Sequence, residues 1–164
     1  MKTAEPKIQY KSLSQLLDED GYFVYTNVGT SMLPLLRAGR DIIEIRRPGS
    51  GRRRKYDVVL YRRGEMYILH RIVRVLPDGY IISGDHNTFV ERDITDNEIL
   101  GVMTRVIRDG KSVTPDTFLY RCYVRIWCAP YRVRILILRC LGKARAVIRR
   151  LKLTGKEESG EKRP

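Results

Sequence analysis

The chain has 164 residues and a formal net charge of +13, and 43% of its residues are hydrophobic. This length is typical of one domain, and the apolar content is enough for a folded core, which excludes wholesale disorder. The three cysteines are an odd number and all lie in the C-terminal part, which argues against a disulfide framework. With two histidines and no Cys-x-x-Cys pair, the sequence predicts no metal site and no cofactor.

The positive charge is concentrated in one part of the chain. Residues 1–116 contain 19 basic and 16 acidic side chains, whereas residues 117–154 contain 10 basic and no acidic ones. Residues 155–164 contain three of each sign. These shifts predict a nearly neutral domain over 1–116, a basic segment over 117–154 and a charged, disordered tail over 155–164.

The first predicted elements are a helix and two strands. Residues 1–17 are polar and lack an apolar run, so we expect neither a signal peptide nor an N-terminal membrane anchor. Ser12 is a good N-cap residue, which predicts a short helix that ends near Gly21. The β-branched and aromatic residues of 22–25 and 41–45 then favour strands.

Five further strand-like segments follow before the basic segment. They are residues 56–61, 66–75, 80–82, 99–107 and 111–113, and turn signals such as Pro-Asp-Gly and Asp-Gly separate several of them. Several short strands joined by tight turns predict a mainly β fold with an antiparallel, barrel-like sheet.

The basic segment has the pattern of an amphipathic helix. At about 100° per residue, an α-helix starting at Arg132 places most apolar residues on one arc and most basic residues on the other. Ile135 and Leu138 are exceptions on the basic side. The apolar arc contains Val133, Leu136, Ile137, Cys140, Leu141, Ala144, Val147, Ile148 and Leu151. The helix carries too many charges to span a bilayer.

Three interpretations of this helix remain open. It could dock its apolar arc on the β domain, lie on an anionic membrane surface, or bind nucleic acid through phosphates. The aromatic residues Tyr123, Trp127 and Tyr131 suit the headgroup level, so a peripheral membrane location is narrowly favoured, with the cytoplasmic face as one option. Nucleic acid comes third, because no DNA-binding or RNA-binding signature precedes or interrupts the β region.

Three segments carry candidate chemistry. Residues 29–34 read Gly-Thr-Ser-Met-Leu-Pro and place Ser31 in a tight turn. A serine hydroxyl is a poor nucleophile without a base, and His70 supplies a candidate base within a β-like run. Residues 83–87 read Ser-Gly-Asp-His-Asn and bring a carboxylate, Asp85, in a turn.

In this order, the segments resemble the signal peptidase I superfamily, which also contains the LexA-type self-cleaving repressors. Residues 31–34 fit the Ser-Met-x-Pro box of that superfamily, and residues 70–71 fit the His-Arg of its archaeal and endoplasmic-reticulum branch. Residues 84–87 look like the Gly-Asp-Asn-Asn box of the same branch. Glu91 stands where that branch carries a second acidic residue, an Asp. The resemblance spans roughly residues 21–107.

The resemblance implies a signal-peptidase-like β catalytic domain over residues 1–116 with a Ser-His centre. Ser31 is the expected nucleophile and His70 the general base. Asp85 is the first choice for the carboxylate that orients the imidazole, and Glu91 is the second. Taken alone, Asp85 could equally form an Asx turn, and Glu91 could simply pair with Arg92.

The surroundings of the serine are expected to complete the site. The Ser31 backbone N–H is a candidate oxyanion donor. Signal peptidases often carry a serine two positions before the nucleophile, but this chain has Gly29 there, and Thr30 could substitute for the missing hydroxyl. Met32 and Pro34 are expected to shape the turn and the substrate groove.

The predicted function is therefore a serine endopeptidase that cleaves a precursor or leader peptide near a membrane surface. Two alternatives remain. The chain could be an inactive homologue that acts as a membrane or nucleic-acid adaptor, as the missing hydroxyl at position 29 and the Glu at position 91 would allow. It could also cleave only itself, in the manner of LexA-type proteins.

Overall fold

The computed structural model describes residues 13–26 and 29–160, except for the side chains of Ser14 and of residues 151–160. The helices are α1 (Leu13–Asp20), α2 (Phe118–Tyr123) and α3 (Tyr131–Gly160), with a π-helical turn at Val124–Cys128 between the last two. The strands are β1 (Tyr22–Thr26), β2 (Ile42–Arg46), β3 (Val58–Arg63), β4 (Met66–Leu76), β5 (Gly79–Ser83), β6 (Glu91–Ile94), β7 (Ile99–Arg108) and β8 (Lys111–Val113).

All strand pairs are antiparallel and form one sheet in the order β1-β2-β7-β3-β4-β5-β6, with β8 added to the end of β7. The mainly antiparallel β architecture is confirmed. The barrel-like closure is wrong, because within the described residues the outer strands β1 and β6 do not pair with each other. A barrel turns one face of its sheet inward, whereas this sheet buries apolar side chains on both faces.

Strand β3 illustrates the two-sided burial. Val58 and Leu60 belong to one hydrophobic core, whereas Val59 and Tyr61 belong to another. Successive side chains of a strand point to opposite faces, so this alternation places one core on each side of the sheet. The first core contains α1, the loop after β1 and the C-terminal helices, and the second lies between β3, β4, β5 and the segment around β6.

The C-terminal helices begin on the sheet and then leave it. Tyr120, Val124 and Cys128 are buried in the first core, and Arg134 of α3 is also buried. Between residues 139 and 150 of α3, every residue except Ala146 is exposed. The helix continues to Gly160, so residues 155–160 are helical where the sequence predicts a disordered tail; Lys and Glu are good helix formers. Residues 161–164 lie outside the described residues.

Most elements agree with the sequence-based predictions. The N-terminal helix and seven of the strands lie where the sequence predicts them, although Ser12 itself lies outside the described residues. Strand β6 was missed because Glu-Arg-Asp-Ile has no apolar alternation, and only Ile94 of it is buried. Among the described residues, no helix is both long and apolar enough to cross a membrane.

Candidate active site

Ser31 lies in a compact turn that we call the serine loop, residues 29–36. The Leu33 N–H donates to the Thr30 carbonyl at 3.1 Å, and the Leu36 N–H donates to the Met32 carbonyl at 2.9 Å. The buried side chains of Met32 and Leu36 fix the loop to the first core. Ser31 is half-buried, and no acceptor among the described residues takes its backbone N–H.

A second loop, residues 84–87, packs directly against the serine loop, and we call it the site loop. The His86 N–H donates to the Ser31 carbonyl at 2.8 Å. Gly84 approaches so closely that an added Cβ would lie 2.6 Å from the Ser31 carbonyl oxygen and 2.9 Å from the Asn87 side chain. Glycine is therefore required here by the close approach of two backbones.

His70 is held from both ring nitrogens. It lies on β4, opposite Val59 of β3, and is only 5% exposed. Its Nδ1 is 3.3 Å from Glu91 Oε1 and 3.2 Å from the Tyr61 hydroxyl oxygen. Its Nε2 is 3.3 Å from the Asn87 side-chain amide. Of the two candidate carboxylates, Glu91 is the one that the fold brings to the imidazole.

These contacts define one tautomer of the ring. The Tyr61 hydroxyl donates its proton to Glu91 Oε1 at 2.7 Å, so its oxygen is free to accept from His70. The Asn87 amide donates to Nε2, so Nε2 carries the lone pair and Nδ1 carries the proton. The basic nitrogen of His70 in this state is directed at the Asn87 amide of the site loop.

Burial and a neighbouring carboxylate shift the pKa of His70 in opposite directions. Burial lowers the pKa of His70 below its ordinary value of 6.5, and the neighbouring Glu91 carboxylate opposes part of that shift. Glu91 is itself held by Arg63, whose Nη1 lies 2.9 Å from Oε2. The imidazole is thus kept neutral near pH 7 and orientated by a carboxylate that is anchored on its far side.

Asp85, the first choice from sequence, is engaged elsewhere. It forms a two-point ion pair with Arg71, at 2.9 Å from Nε and 2.7 Å from Nη2, and both side chains are fully buried. Burial lowers the pKa of the Arg71 guanidinium, but Asp85 more than offsets this and raises it well above its ordinary value. No hydrogen bond or ion pair joins Asp85 to His70 in the described part of the chain.

The alternation of strand residues explains this division. His70 and Arg71 are neighbours on β4, so their side chains point to opposite faces of the sheet. His70 shares a face with Tyr61 and with Glu91, whereas Arg71 faces the first core and the Tyr120 hydroxyl, which accepts at 2.9 Å. One carboxylate cannot serve both side chains.

The C-terminal helices hold the site loop from behind. The Tyr123 hydroxyl donates to Asp85 Oδ2 at 2.8 Å, and Trp127 Nε1 donates to the Asp85 carbonyl at 3.0 Å. Arg134 donates from Nη2 to the Gly84 carbonyl at 3.2 Å, and its Nη1 lies 3.6 Å from Asp85 Oδ1. Burial raises the pKa of the Cys128 thiol, which also contacts Asp85, to about 12.

The other predicted residues occupy different positions relative to the site. Met32 is buried in the core and shapes the serine loop, not a groove surface, whereas Pro34 does line a groove. Gly29 has a φ of 93°, which supports its role in the turn. Thr30 is exposed, and its side chain makes no hydrogen bond within the described residues.

Sequence reasoning missed Tyr61, Asn87 and Arg134. Tyr61 could have been found from strand alternation, because it lies on the same face as the residue opposite His70. Nothing in the local sequence marks Arg134, which the helical pattern assigns to solvent. Within the described residues, no cluster of His, Cys, Asp and Glu side chains could hold a metal ion.

Ser31 and His70 both contact the site loop, Ser31 through the His86 N–H and His70 through the Asn87 amide, but no hydrogen bond joins them in the described residues. Comparisons with family models, with curated proteins and with solved structures find no match to this chain.

Proposed function

We propose that the protein is a serine endopeptidase in which Ser31 is the nucleophile, His70 the general base and Glu91 the carboxylate that orients the base. The observation that carries the proposal is the state of His70. A buried, neutral imidazole has its Nδ1–H held by Glu91 and Tyr61 and its Nε2 lone pair directed to the loop that touches Ser31.

The reaction follows from these positions. His70 Nε2 takes the proton from the Ser31 hydroxyl as Oγ attacks the carbonyl carbon of the scissile peptide bond. The Ser31 backbone N–H, which has no acceptor among the described residues, donates to the oxyanion. His70 then gives its proton to the leaving amine, and water hydrolyses the acyl-enzyme by the same route.

In this mechanism the Asn87 side chain covers the basic nitrogen of His70 until substrate binds. Its amide is 3.3 Å from Nε2 in the resting protein, a long hydrogen bond that is weak compared with the usual 2.9–3.0 Å. Bound substrate displaces the amide from Nε2, and the Ser31 hydroxyl takes its place. Catalytic hydrogen bonds in unliganded enzymes are often long or misaligned in this way.

The order of the boxes supports the choice of reaction. Ser-Met-Leu-Pro at 31–34, His-Arg at 70–71 and Gly-Asp at 84–85 resemble the signal peptidase I superfamily, and the substrate proposed on that basis is a precursor or leader peptide. The chain departs from that superfamily's pattern at two positions. Gly29 replaces a serine that could donate to the oxyanion, and Glu91 replaces an Asp as the orienting carboxylate. The Glu91 carboxylate contacts His70, although the family pattern has the shorter Asp at this position.

A membrane-surface location is the second element of the proposal. The apolar arc of α3 does not dock on the β domain: Leu136 and Val147 are 61% and 55% exposed. The helix instead contacts the domain through Arg134, Leu138 and Arg139. An exposed apolar arc flanked by basic side chains matches an anionic bilayer, which attracts each nearby basic residue by about 1 kcal/mol.

Peptide cleavage by single-site variants tests the peptidase. A panel of internally quenched peptides is incubated with the wild-type protein and with Ser31→Ala and His70→Ala, and products are identified by mass spectrometry. We expect both variants to lose at least about 1,000-fold in rate, while Ser50→Ala, an exposed loop serine, keeps full activity. Cleavage that survives Ser31→Ala, in a folded protein, would refute the mechanism.

Vesicle co-sedimentation tests the location. The protein is mixed with vesicles of phosphatidylcholine alone or with phosphatidylglycerol added. We expect binding only to the anionic vesicles, and a loss on combining Leu136→Gln with Val147→Gln. Arg54→Glu, an exposed loop arginine, serves as the control for net charge alone. Equal loss from the control, or no binding at all, would contradict a membrane-bound α3.

A binding-only adaptor is the competing function, and the Asn87 amide on His70 Nε2 favours it. If Asn87 blocks the base permanently, Ser31 would react no faster than an ordinary serine. Replacing Asn87 by Ala separates the two. If Asn87 blocks the base, the wild-type protein leaves peptides intact and Asn87→Ala gains cleavage, whereas the proposed peptidase already cleaves them with Asn87 present.

A further inference from the structure

A groove adjoins the serine loop on the side of α3. It has a volume of about 440 Å³ and is largely apolar. Its walls come from the serine loop, the site loop, the π-helical turn and α3, and they include Leu33, Pro34, Trp127, Leu138 and Gly142. The groove therefore exists only because the C-terminal helices pack against the loops of the site.

The groove begins beside the nucleophile. Leu33 is two residues from Ser31, and His86, which also lines the groove, donates its backbone N–H to the Ser31 carbonyl at 2.8 Å. Trp127 is fixed as a wall by the hydrogen bond of its indole to the Asp85 carbonyl. An extended peptide advances about 3.3 Å per residue, so a chain whose carbonyl lies at Ser31 reaches the groove within a few residues.

The rim of the groove is positively charged. Arg37 and Arg145 border it, and neither side chain has a hydrogen bond or ion pair among the described residues. None of the lining residues is acidic. Two uncompensated guanidinium groups beside an apolar cleft suit a ligand that carries a carboxylate next to an apolar side chain.

We propose that this groove is a substrate subsite that seats a large apolar side chain of the peptide, with an adjacent Asp or Glu paired to Arg37 and Arg145. The inference rests on the proposed peptidase function, to which it adds a substrate class. The apolar side chain packs between Trp127, Pro34 and Leu138. The carboxylate stays at the rim, where the arginines retain their solvent and lose little on pairing.

Trp127 gives a direct readout, because it is the only tryptophan of the chain and it lines the groove. Acetylated and amidated octapeptides of Gly and Ser, each with one central Leu-Glu, Leu-Gln or Leu-Lys pair, are titrated against Ser31→Ala while tryptophan fluorescence is recorded. We expect the Leu-Glu peptide to bind about tenfold more tightly than the Leu-Lys peptide.

Charge reversal at the rim tests the arginines. Arg37→Glu combined with Arg145→Glu is expected to invert the preference, so that the Leu-Lys peptide binds more tightly. Lys143→Glu combined with Arg149→Glu changes the net charge equally on exposed positions of α3 that do not line the groove. If this control inverts the preference as well, the effect is long-range attraction to a basic protein and the proposal fails.

Filling the groove tests its apolar part. A Cβ at Gly142 would meet nothing within 4 Å, so the backbone leaves room for a side chain to start there. Gly142→Leu is expected to weaken the Leu-Glu peptide about tenfold, whereas Ala144→Leu, an exposed position outside the groove, leaves it unchanged. Equal binding by both variants would overturn the assignment.

The same peptides separate this inference from the proposed function. Wild-type protein that cleaves all three octapeptides equally, with no change in Trp127 fluorescence, overturns the subsite alone. Acidic preference in binding without any cleavage or labelling of Ser31 supports the groove as a peptide site and overturns the peptidase.

Discussion

Replacing Asp85 with Asn removes the carboxylate that two buried arginines share in the described part of the chain. Arg71 holds it at 2.9 Å and 2.7 Å, and Arg134 Nη1 lies 3.6 Å away. The side chains of all three residues are at most 1% exposed. The variant therefore leaves two guanidinium groups in the protein interior without a counter-charge, at the junction of the sheet, the site loop and the C-terminal helices.

The magnitude follows from the cost of an unpaired buried charge. Removing one partner of a buried pair typically destabilises a protein by about 3–5 kcal/mol. For a chain of this size, 1 kcal/mol lowers the melting temperature by about 2–4 °C, so Asp85→Asn should lower it by roughly 6–20 °C. Glu91→Gln is the matched control, because its arginine partner Arg63 is 48% exposed and keeps its hydration.

Urea and thermal unfolding, followed by circular dichroism, measure both variants. We expect Asp85→Asn to lose several kcal/mol and Glu91→Gln about 1 kcal/mol, whereas the rate of peptide cleavage falls most in Glu91→Gln. A stable Asp85→Asn protein that has lost its activity would refute this reasoning and return Asp85 to the role of orienting carboxylate.

Three further predictions concern the loops, the base and a distant ion-pair network. Gly84→Ala forces the site loop away from the Ser31 carbonyl and should lower the cleavage rate at least about tenfold, measured beside Gly49→Ala as a loop control where a Cβ meets nothing within 4 Å. Because burial lowers the pKa of His70, the acid limb of the profile of kcat/KM against pH should fall below pH 6.5, and Glu91→Gln should move it lower still, since Glu91 raises that pKa. Burial raises the pKa of Glu44, but hydrogen bonds from Arg46 and its other partners lower it to about 2. The Glu44 carboxylate therefore contributes its full stabilisation above about pH 4.5 and loses it as the pH falls towards 2. Glu44→Gln should lower the free energy of unfolding by about 1–2 kcal/mol at pH 7 and by nothing at about pH 2, as measured by urea unfolding.

The local pattern of the chain predicts most of the fold. Strands such as β3 and β4 carry β-branched and aromatic residues that fit a pleated, buried surface, and α1 begins and ends at ordinary helix signals. Strand β6 has no such pattern, because pairing with β5 at one edge of the sheet, and not burial, makes it a strand. The openness of the sheet depends on which strands meet at its edges, which no local pattern encodes.

Local sequence likewise predicts only some of the residues of the candidate site. The sequence predicts Ser31 in a turn and His70 in a strand, where the structure has them, but it ranks Asp85 above Glu91. Strand alternation could have corrected that ranking, since His70 and Arg71 must face opposite sides of β4. The partners of Asp85 come from α2, the π-helical turn and α3, and helix periodicity gives Arg134 to solvent because it does not include the packing of that helix on the site loop.

The reactivity of Ser31 tests the central claim most directly. The protein is treated with a fluorophosphonate, and the modified residue is identified by mass spectrometry of proteolytic fragments. The proposed centre predicts a single adduct on Ser31 that forms at least about 100-fold more slowly in His70→Ala and is slowed in Glu91→Gln. An unmodified Ser31, or an adduct whose rate does not depend on His70, would contradict it.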